Sequence, residues 1–131
     1  MKRDLVSIIL TRQELQIMKA VWKLGTATVK QVRKEICAEK PTAYTTILTL
    51  MGILEEKGAL AHSRAGRAYV YRPLLSRWQA THNQLEDVLA RFFDGDAEKL
   101  VEYVLENEVK GPEQMRNIRC LIDSGMENQV A

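Results

Sequence analysis

The feature that most constrains this chain is a change of hydrophobic period that follows three helical segments. Up to Gly58, apolar residues recur every three or four positions, as they do on the buried face of a helix. Beyond it the pattern becomes two short runs, 60–64 and 68–72, around a turn at 65–67, which predicts a β-hairpin that Pro73 ends. Three short helices followed by a hairpin predict a winged helix-turn-helix domain.

The three predicted helices begin and end at recognisable capping signals. The first spans 11–24, with the S/T-x-x-E pattern of a capping box at its start and a glycine directly after its end. Thr28 can cap the second, which ends near Pro41, and the third runs over 42–58. In a winged helix, this third helix is the recognition helix and the hairpin is the wing.

Three further amphipathic helices are predicted in the rest of the chain. Ser76 can cap one that reaches Asp94, another spans about 96–108, and the last begins after Gly111 and ends before Gly125. Such short helices cannot bury three apolar faces alone. We therefore expect a homodimer, and the alternative is that these helices extend a monomeric core.

The predicted architecture is mainly α with a small β-hairpin wing. It comprises a winged-helix domain over 1–75, a helical dimerisation domain over 76–125 and a disordered tail over 126–131. The dimer interface is predicted along the apolar seams of the C-terminal helices. Its residues are Trp78, Leu85, Val88, Leu89, Phe92, Leu100, Val104, Ile118 and Leu121.

Charge is distributed unevenly along the chain, although the formal net charge is only +2. Residues 1–75 carry 13 Lys or Arg against 6 Asp or Glu, whereas residues 76–131 carry 6 against 11. The net charges are therefore +7 and −5. This asymmetry indicates a basic domain that faces a polyanion and a second part that does not, unless the charges are simply solvated by chance.

The face of the third helix opposite its apolar stripe carries mostly small side chains. These are Thr42, Thr45, Thr49 and Gly52, together with Glu56. Threonine can hydrogen-bond a base edge or place its methyl on thymine. A glycine inside a helix costs about 1 kcal/mol relative to alanine, so Gly52 indicates a close approach, either to DNA or to another helix.

This face has no arginine, so the affinity for DNA must come from cations elsewhere. The candidates for phosphate contacts, some of which are only solvated charges, are Arg12, Lys30, Arg33, Lys34, Lys40, Arg64 and Arg67. Arg64 and Arg67 flank the wing tip and could enter the minor groove. Tyr44, at the start of the third helix, could donate its hydroxyl to a phosphate, whereas Tyr69 and Tyr71 are interpreted as packing the wing onto the helices.

Four strings of this sequence, taken in this order and spacing, carry a resemblance to a known family. They are Leu10-Thr11-Arg12-Gln13-Glu14-Leu15, Ala43-Tyr44-Thr45-Thr46-Ile47, Leu54-Glu55-Glu56-Lys57-Gly58 and Gly66-Arg67-Ala68-Tyr69-Val70-Tyr71-Arg72-Pro73. Over about residues 10–121 the chain closely resembles the penicillinase repressor family (BlaI/MecI type). The resemblance implies bacterial homodimeric winged-helix repressors that occupy palindromic operators and dimerise through their C-terminal helices. It also implies that Tyr44, Thr45, Thr46, Thr49, Arg64 and Arg67 read DNA.

The sequence departs from the family at three places. Gly52 and Ile53 stand where members commonly have Arg, Lys or Asn, so the operator sequence cannot be borrowed from a relative. In antibiotic-responsive members a protease cuts an Asn-Phe bond, where this chain has Tyr103-Val104, so an inducing protease is a doubtful partner. The paired C-x-C motifs of the copper-responsive branch are missing, which leaves metal-controlled release unsupported.

Composition and motifs exclude several other classes of protein. No run approaches the roughly 18 apolar residues of a membrane helix, and no cleavage-site pattern follows the early apolar run. We therefore expect a cytoplasmic protein without a membrane partner. Cys37, Cys120, His62 and His82 form no spaced cluster, so neither a metal nor a cofactor is expected. Both cysteines are interpreted as small buried side chains rather than a redox switch.

An enzyme is not expected. The sequence has no Gly-rich phosphate loop, no nucleophile with a plausible base and no carboxylate pair in a nameable cleft. The leading hypothesis is a homodimeric transcriptional repressor that binds double-stranded operator DNA. The alternative is a winged-helix protein-interaction module, which the lack of arginine on the third helix favours and the +7 charge of residues 1–75 opposes.

Overall fold

A computed structural model of the protein describes residues 5–130, without the side chains of Val6 and 127–130. The chain divides into two compact units, residues 1–86 and 87–131. The elements of the first unit are a 3₁₀ turn at Leu5–Ser7, helices α1 (Arg12–Leu24), α2 (Val29–Cys37) and α3 (Tyr44–Lys57), strands β1 (Leu60–Ala65) and β2 (Ala68–Pro73), and the start of helix α4 (Arg77–Phe92). This order confirms the predicted winged helix.

Side-chain caps define where the first two helices begin. Thr11 Oγ1 accepts from the Glu14 amide at 3.2 Å, and the Thr11 amide donates to the Glu14 carboxylate at 2.8 Å. At the start of α2, Thr28 Oγ1 accepts from the Gln31 amide at 3.2 Å, and the Thr28 amide donates to the side-chain oxygen of Gln31 at 2.9 Å. Each of these helices therefore starts with a capping box that satisfies its N-cap and N3 amides, as the capping signals predicted.

The wing is an antiparallel hairpin that runs from the pair Leu60–Pro73 to the pair Ala65–Ala68. Because Ala65 is paired, the turn is the dipeptide Gly66-Arg67, one residue shorter than predicted. Gly66 has a φ of 65°, which is the region that a type II′ turn requires at this position. An isolated bridge between Ala27 and Tyr71 ties the second strand to the segment between α1 and α2.

The core of the first unit lies between the three helices and the base of the wing. Its largest fully buried side chains are Ile17, Met18, Val21, Val32, Ile47, Met51, Leu54, Leu60 and Leu75. They come from α1, α2, α3, β1 and the segment that precedes α4. Trp22 of α1 adds a polar tie, since its indole Nε1 donates to the carbonyl of Leu75 at 2.9 Å.

A buried carboxylate links the start of α1 to the end of α3. Glu14 is 2% exposed, and its Oε1 lies 2.6 Å from Nζ of Lys57. Lys57 also donates to the carbonyl of Ile9 at 3.3 Å. Burial alone raises the pKa of Glu14, but the hydrogen bonds and charge of Lys57 and the amide of Thr11 outweigh it and hold that pKa below its ordinary value of 4.5.

The second unit consists of the end of α4 with helices α5 (Ala97–Asn107) and α6 (Gly111–Val130). The prediction that the last helix ends before Gly125 is wrong, and residues 126–130 are helical rather than a disordered tail. Gly125 does not have the positive φ that a glycine C-cap adopts. A glycine with an ordinary helical backbone costs stability but does not end a helix.

The first unit extends further along the chain than the predicted boundary at residue 75. Asn83 of α4 is buried and donates through Nδ2 to the carbonyls of Leu5 and Ile8, at 2.7 and 2.9 Å. Gln79 donates in turn to Oδ1 of Asn83 at 2.7 Å. These bonds fasten the first half of α4 to the segment before α1.

The interpretation of both cysteines as buried is wrong. Cys37 is half-buried and Cys120 is exposed. Cys37 is held at the end of α2 by hydrogen bonds, which are described below. Cys120 lies on α6, a helix with no buried residue among its described side chains, so its surroundings in the single chain cannot bury it.

We predict that Glu14→Gln lowers the free energy of unfolding by about 1–3 kcal/mol at neutral pH, because the charge-assisted bond to Lys57 is lost. Since the folded pKa of Glu14 is depressed, the ionised carboxylate stabilises the fold fully above 4.5, and this contribution disappears as the pH falls through the folded pKa. Urea denaturation of both proteins across this pH range measures the difference.

The matched control is Glu35→Gln. Glu35 pairs with the exposed Lys23 at 2.9 Å, so its substitution should change stability by less than about 0.5 kcal/mol. An equal loss in the two variants, or a Glu14→Gln difference that persists in acid, would contradict the role given to the buried pair.

Candidate nucleic-acid interface

The exposed face of α3 is the centre of the candidate interface. Tyr44, Thr45, Thr46, Thr49 and Gly52 are all exposed, whereas Ile47, Met51 and Leu54 on the other face are buried. The helical period therefore assigned Thr45, Thr49 and Gly52 to the exposed face correctly. Glu56, at the far end of the exposed face, is also accessible.

Thr42 does not belong to this face. It precedes α3, and its hydroxyl donates to the Lys40 carbonyl at 3.1 Å. Its amide donates to Sγ of Cys37 at 3.4 Å, and its carbonyl accepts from Nε of Arg33 at 3.0 Å and from the Cys37 thiol at 3.5 Å. The helical period misplaced Thr42 because α3 starts two residues later than predicted, and the residue serves the turn between α2 and α3 instead.

The start of α3 is uncapped, unlike the starts of α1 and α2. Ala43 occupies the N-cap position and has no side chain that could accept a hydrogen bond. The first amides of the helix therefore point outward beside Tyr44 and Thr45 without a side-chain acceptor. Such amides, at the positive end of the helix dipole, suit a phosphate oxygen.

The hydroxyl of Thr49 is already used inside the helix. Its Oγ1 donates to the carbonyl of Thr45 at 2.9 Å. Because a hydroxyl has one proton, Thr49 can offer an outside partner only its oxygen lone pair and its methyl group. It is therefore suited to accept from an amino group or to contact the methyl of thymine.

Two apolar residues widen this face in a way that the sequence analysis missed. Leu48 is 42% exposed and Ile53 is 37% exposed, on either side of Thr49 and Gly52. Large apolar side chains at these positions are expected to be buried, so their exposure beside a row of threonines was not anticipated. Together with the threonine methyls they form a surface suited to thymine methyl groups rather than to guanine.

Gly52 lies in open space. A Cβ atom built at this position would meet nothing within 4 Å. Among the described residues, therefore, no neighbouring helix requires a glycine here, which removes the packing alternative within the chain. Close approach of a molecule outside the chain stays a prediction.

The wing turns one face towards α3. His62 pairs across the hairpin with Tyr71 and contacts Glu55 of α3 through Nδ1, and its ring lies 4.6 Å from that of Tyr69. Arg64 pairs with Tyr69 on the same face, and its guanidinium lies 5.7 Å from the centre of the tyrosine ring. Arg64 is therefore held on the side of the wing that adjoins the recognition helix.

The two wing tyrosines have different roles. Tyr71 is buried as predicted, and its amide and carbonyl both pair with Ala27, at 2.8 and 2.9 Å. Burial, reinforced by the nearby Glu55, raises its pKa above the ordinary value of 10.0, so the phenol stays neutral. Tyr69 is 45% exposed, and its ring contacts His62 and the guanidinium of Arg64. That it packs the wing onto the helices stays a prediction.

The remaining predicted cations are exposed at separate places. Arg67 lies at the wing tip, and Lys40 lies in the turn before α3. Arg12 lies at the start of α1, in a groove that it shares with Arg77 of α4. The structure thus holds Arg64 on the side of the wing that adjoins α3, whereas Arg12 lines a groove between α1 and α4.

Neither a metal-binding cluster nor a membrane-spanning helix occurs among the described residues. No group of His, Cys, Asp and Glu within them is arranged to hold a metal ion. Among the same residues, no helix combines the length and apolarity that crossing a membrane requires.

The family profile described as penicillinase repressor matches residues 10–124 of the sequence. The chain belongs to the penicillinase repressor family. It is similar to a penicillinase repressor of Bacillus licheniformis, with 29% identity over 110 residues that cover 84% of this chain and 86% of the relative. It is also similar to a transcriptional regulator BlaI of Mycobacterium tuberculosis, with 26% identity over 119 residues, 88% of this chain and 86% of the relative.

Solved structures agree with the fold of a penicillinase repressor. The DNA-binding domain of the repressor BlaI matches with a TM-score of 0.52 and 32% identity, over 60% of this chain and 93% of that domain. A complex of hsRosR-S4 matches with a TM-score of 0.56 over 96% of this chain and 99% of the other, and at 13% identity it supports the fold alone. The family is one of transcriptional repressors, not enzymes.

We predict that Gly52→Ala has opposite effects on folding and on DNA binding. Alanine in an exposed helix position with open space around it should raise the free energy of unfolding by up to about 1 kcal/mol. The added methyl should weaken binding to specific duplex DNA by about tenfold or more if the helix backbone approaches the groove floor, which corresponds to about 1.4 kcal/mol. Thermal denaturation and a mobility-shift titration measure the two effects on one sample. Unchanged affinity in a stabilised variant would show that nothing approaches Gly52.

Proposed function

We propose that the protein is a homodimeric, sequence-specific DNA-binding transcriptional repressor that occupies a palindromic operator. Repression as such follows from its family, and the dimer, the palindrome and the roles of individual residues are our inference. The observation that carries the proposal is the face of α3, where small and methyl-bearing side chains surround an open glycine next to an uncapped helix start. This surface can lie close against the major groove.

In each half-site, α3 would read bases and anchor the backbone. Tyr44, Thr45 and Thr46 lie in its first turn, where phosphate oxygens would complete the hydrogen bonds of the free amides. Thr49, with its donor already used, and Gly52 would lie over the base edges. We infer that A·T pairs dominate the contacted positions, since no arginine on this face can bind guanine.

The wing would supply charge rather than base recognition. Arg64 is supported by Tyr69 on the face that adjoins α3, and Arg67 extends from the turn. Both suit phosphates or the minor groove beside the half-site. Lys40 in the turn before α3 would add a phosphate contact, and Arg12 a more distant one. Thr42 is left out of the proposed contacts because its hydroxyl and backbone groups bind within the turn.

The second unit supports dimerisation, because it has no core of its own. None of its described side chains, 87–126, is buried in the single chain. Among the predicted interface residues, Phe92 and Leu121 of this unit are 70% and 71% exposed, and Trp78 and Leu85, which belong to the first unit, are 69% and 51% exposed. The others, which are exposed or half-buried, are Val88, Leu89, Leu100, Val104 and Ile118. A second copy of the chain would cover these surfaces symmetrically.

A twofold dimer would explain why the operator is expected to be palindromic. Two recognition helices related by such an axis reach successive major grooves about 34–36 Å apart. The acidic second unit would form the contact between chains, and the basic first unit would meet DNA. Since operators lie on the chromosome, we propose that the protein works in the bacterial cytoplasm. An inducing protease is not included, because Tyr103 and Val104 lie within α5 rather than in an extended segment.

We predict that Arg67→Ala weakens binding to all duplexes and reduces the salt dependence of binding. Each lost phosphate contact should lower the log–log salt slope by about 0.9, so a dimer that loses two should lose about 1.8. Mobility shifts at several salt concentrations, with the promoter of the protein's own gene and a scrambled competitor, measure this slope. Lys99→Ala, which removes an exposed charge from α5, is the control and should leave the slope unchanged. A wild-type protein with no salt-dependent binding to any duplex would refute the DNA-binding proposal.

We predict that Phe92→Asp converts the dimer into a monomer and lowers operator affinity by at least about tenfold, since a buried charge in an apolar interface costs several kcal/mol. Size-exclusion chromatography with light scattering gives the mass of each species. Ala90→Asp adds the same charge to an exposed position on another face of α4 and should remain dimeric. An unchanged mass for Phe92→Asp would remove this residue from the interface.

A further inference from the structure

We propose a binding site for a small amphipathic organic anion in the groove between α1 and the first half of α4. The groove lies entirely within the first unit, and its volume is about 370 Å³. Sites for small molecules typically measure about 300–1,000 Å³ and combine an apolar floor with a few polar groups. This groove has both features, and nothing in the proposed DNA contacts explains its shape.

The floor of the groove is apolar. Leu15 and Trp22 of α1 line it together with Ala80 and Leu85 of α4. Trp22 is fixed in place because its indole donates to the Leu75 carbonyl at 2.9 Å. A fixed aromatic side chain among aliphatic ones suits a flat ring or a short alkyl chain.

The rim of the groove carries three cations and no acid. Arg12 and Lys19 come from α1, and Arg77 comes from α4. All three are exposed, and none has an ion-pair partner among the described residues. No Asp or Glu is among the described residues that line the groove, so the local field favours a negative ligand. A carboxylate or sulfonate would complement the charge of this rim. A hydrocarbon body would complement the apolar floor.

Occupancy of this site would act against DNA binding. Arg12 lies on the rim and is also one of the proposed phosphate contacts, and a ligand anion that binds its guanidinium would withdraw that charge from the operator. Leu85 lies on the wall of the groove and in the proposed dimer seam, so a ligand would also compete for an interface side chain. This step rests on the proposed function, whereas binding itself does not.

The test measures binding on the full-length protein without DNA. Trp78→Phe removes the second tryptophan, so the remaining fluorescence reports on Trp22. Because Trp78 is also a predicted interface residue, light scattering first establishes that this variant has the mass of the wild-type protein. The probes are benzoate and hexanoate, and the comparison ligands are benzyl alcohol, hexanol and inorganic phosphate; none of them absorbs appreciably at an excitation wavelength of about 295 nm. We expect a saturable change in Trp22 fluorescence with at least one carboxylate at a Kd below about 10 mM, confirmed by calorimetry. Each uncharged analogue and phosphate should bind at least about tenfold more weakly.

Paired variants distinguish binding of the anion in the groove from its general attraction to a basic surface. The double variant Lys19→Gln and Arg77→Gln should raise the Kd by about tenfold or more. Lys23→Gln removes a charge from the same helix outside the groove and should not change it. Equal effects of the two sets, equal binding of acid and alcohol, or no saturable binding of either carboxylate would overturn the proposal.

A second measurement keeps this result separate from the proposed function. With an operator duplex, the bound carboxylate should lower the affinity of the wild-type protein and have no effect on the double variant. Carboxylate binding without any DNA binding would support the groove and contradict the repressor. Operator binding without carboxylate binding would support the repressor and contradict the groove.

Discussion

The arrangement of the winged helix depends on the buried pair of Glu14 and Lys57. One carboxylate completes the cap of α1 through Thr11, and the same carboxylate receives the ammonium group at the end of α3. A charge at such depth is tolerated only with its partners in place, so the ends of the two helices are fixed relative to each other. The lysine also reaches the Ile9 carbonyl, which adds the segment before α1 to the same junction.

Because its C-terminal end is fixed in this way, α3 does not need its exposed face to pack against the rest of the unit. The core takes Ile47 and Met51, and the opposite side keeps only short or methyl-bearing groups around Gly52. The wing is aligned with that side by the contact of His62 with Glu55. The two tasks of the proposed interface thus belong to different elements. The surface of α3 offers shape and methyl contacts for recognition, and the wing supplies the cations.

The sequence predicted those parts that depend on local rules. Capping boxes, the helical period and the hairpin signal are short-range, and α1, α2 and the wing followed them. The features that the sequence did not predict depend on partners far along the chain, on backbone angles or on the exposure of a whole helix. The role of Asn83 depends on carbonyls more than seventy positions earlier in the chain. The helical end at Gly125 was predicted from residue type, whereas the decisive quantity is its backbone angle. Cys120 was judged by the usual behaviour of cysteine and not by the exposure of its helix.

The absence of a buried side chain among residues 87–126 has a consequence for how the amount of protein governs repression. In the proposed dimer these helices acquire a core only when two chains meet, so assembly and the completion of folding are one event. At low abundance, the occupied fraction of an operator would fall with the square of the chain concentration. Unpaired chains would meanwhile present open helices to general proteases. A modest drop in synthesis would then clear the operator sharply, without any dedicated signal molecule.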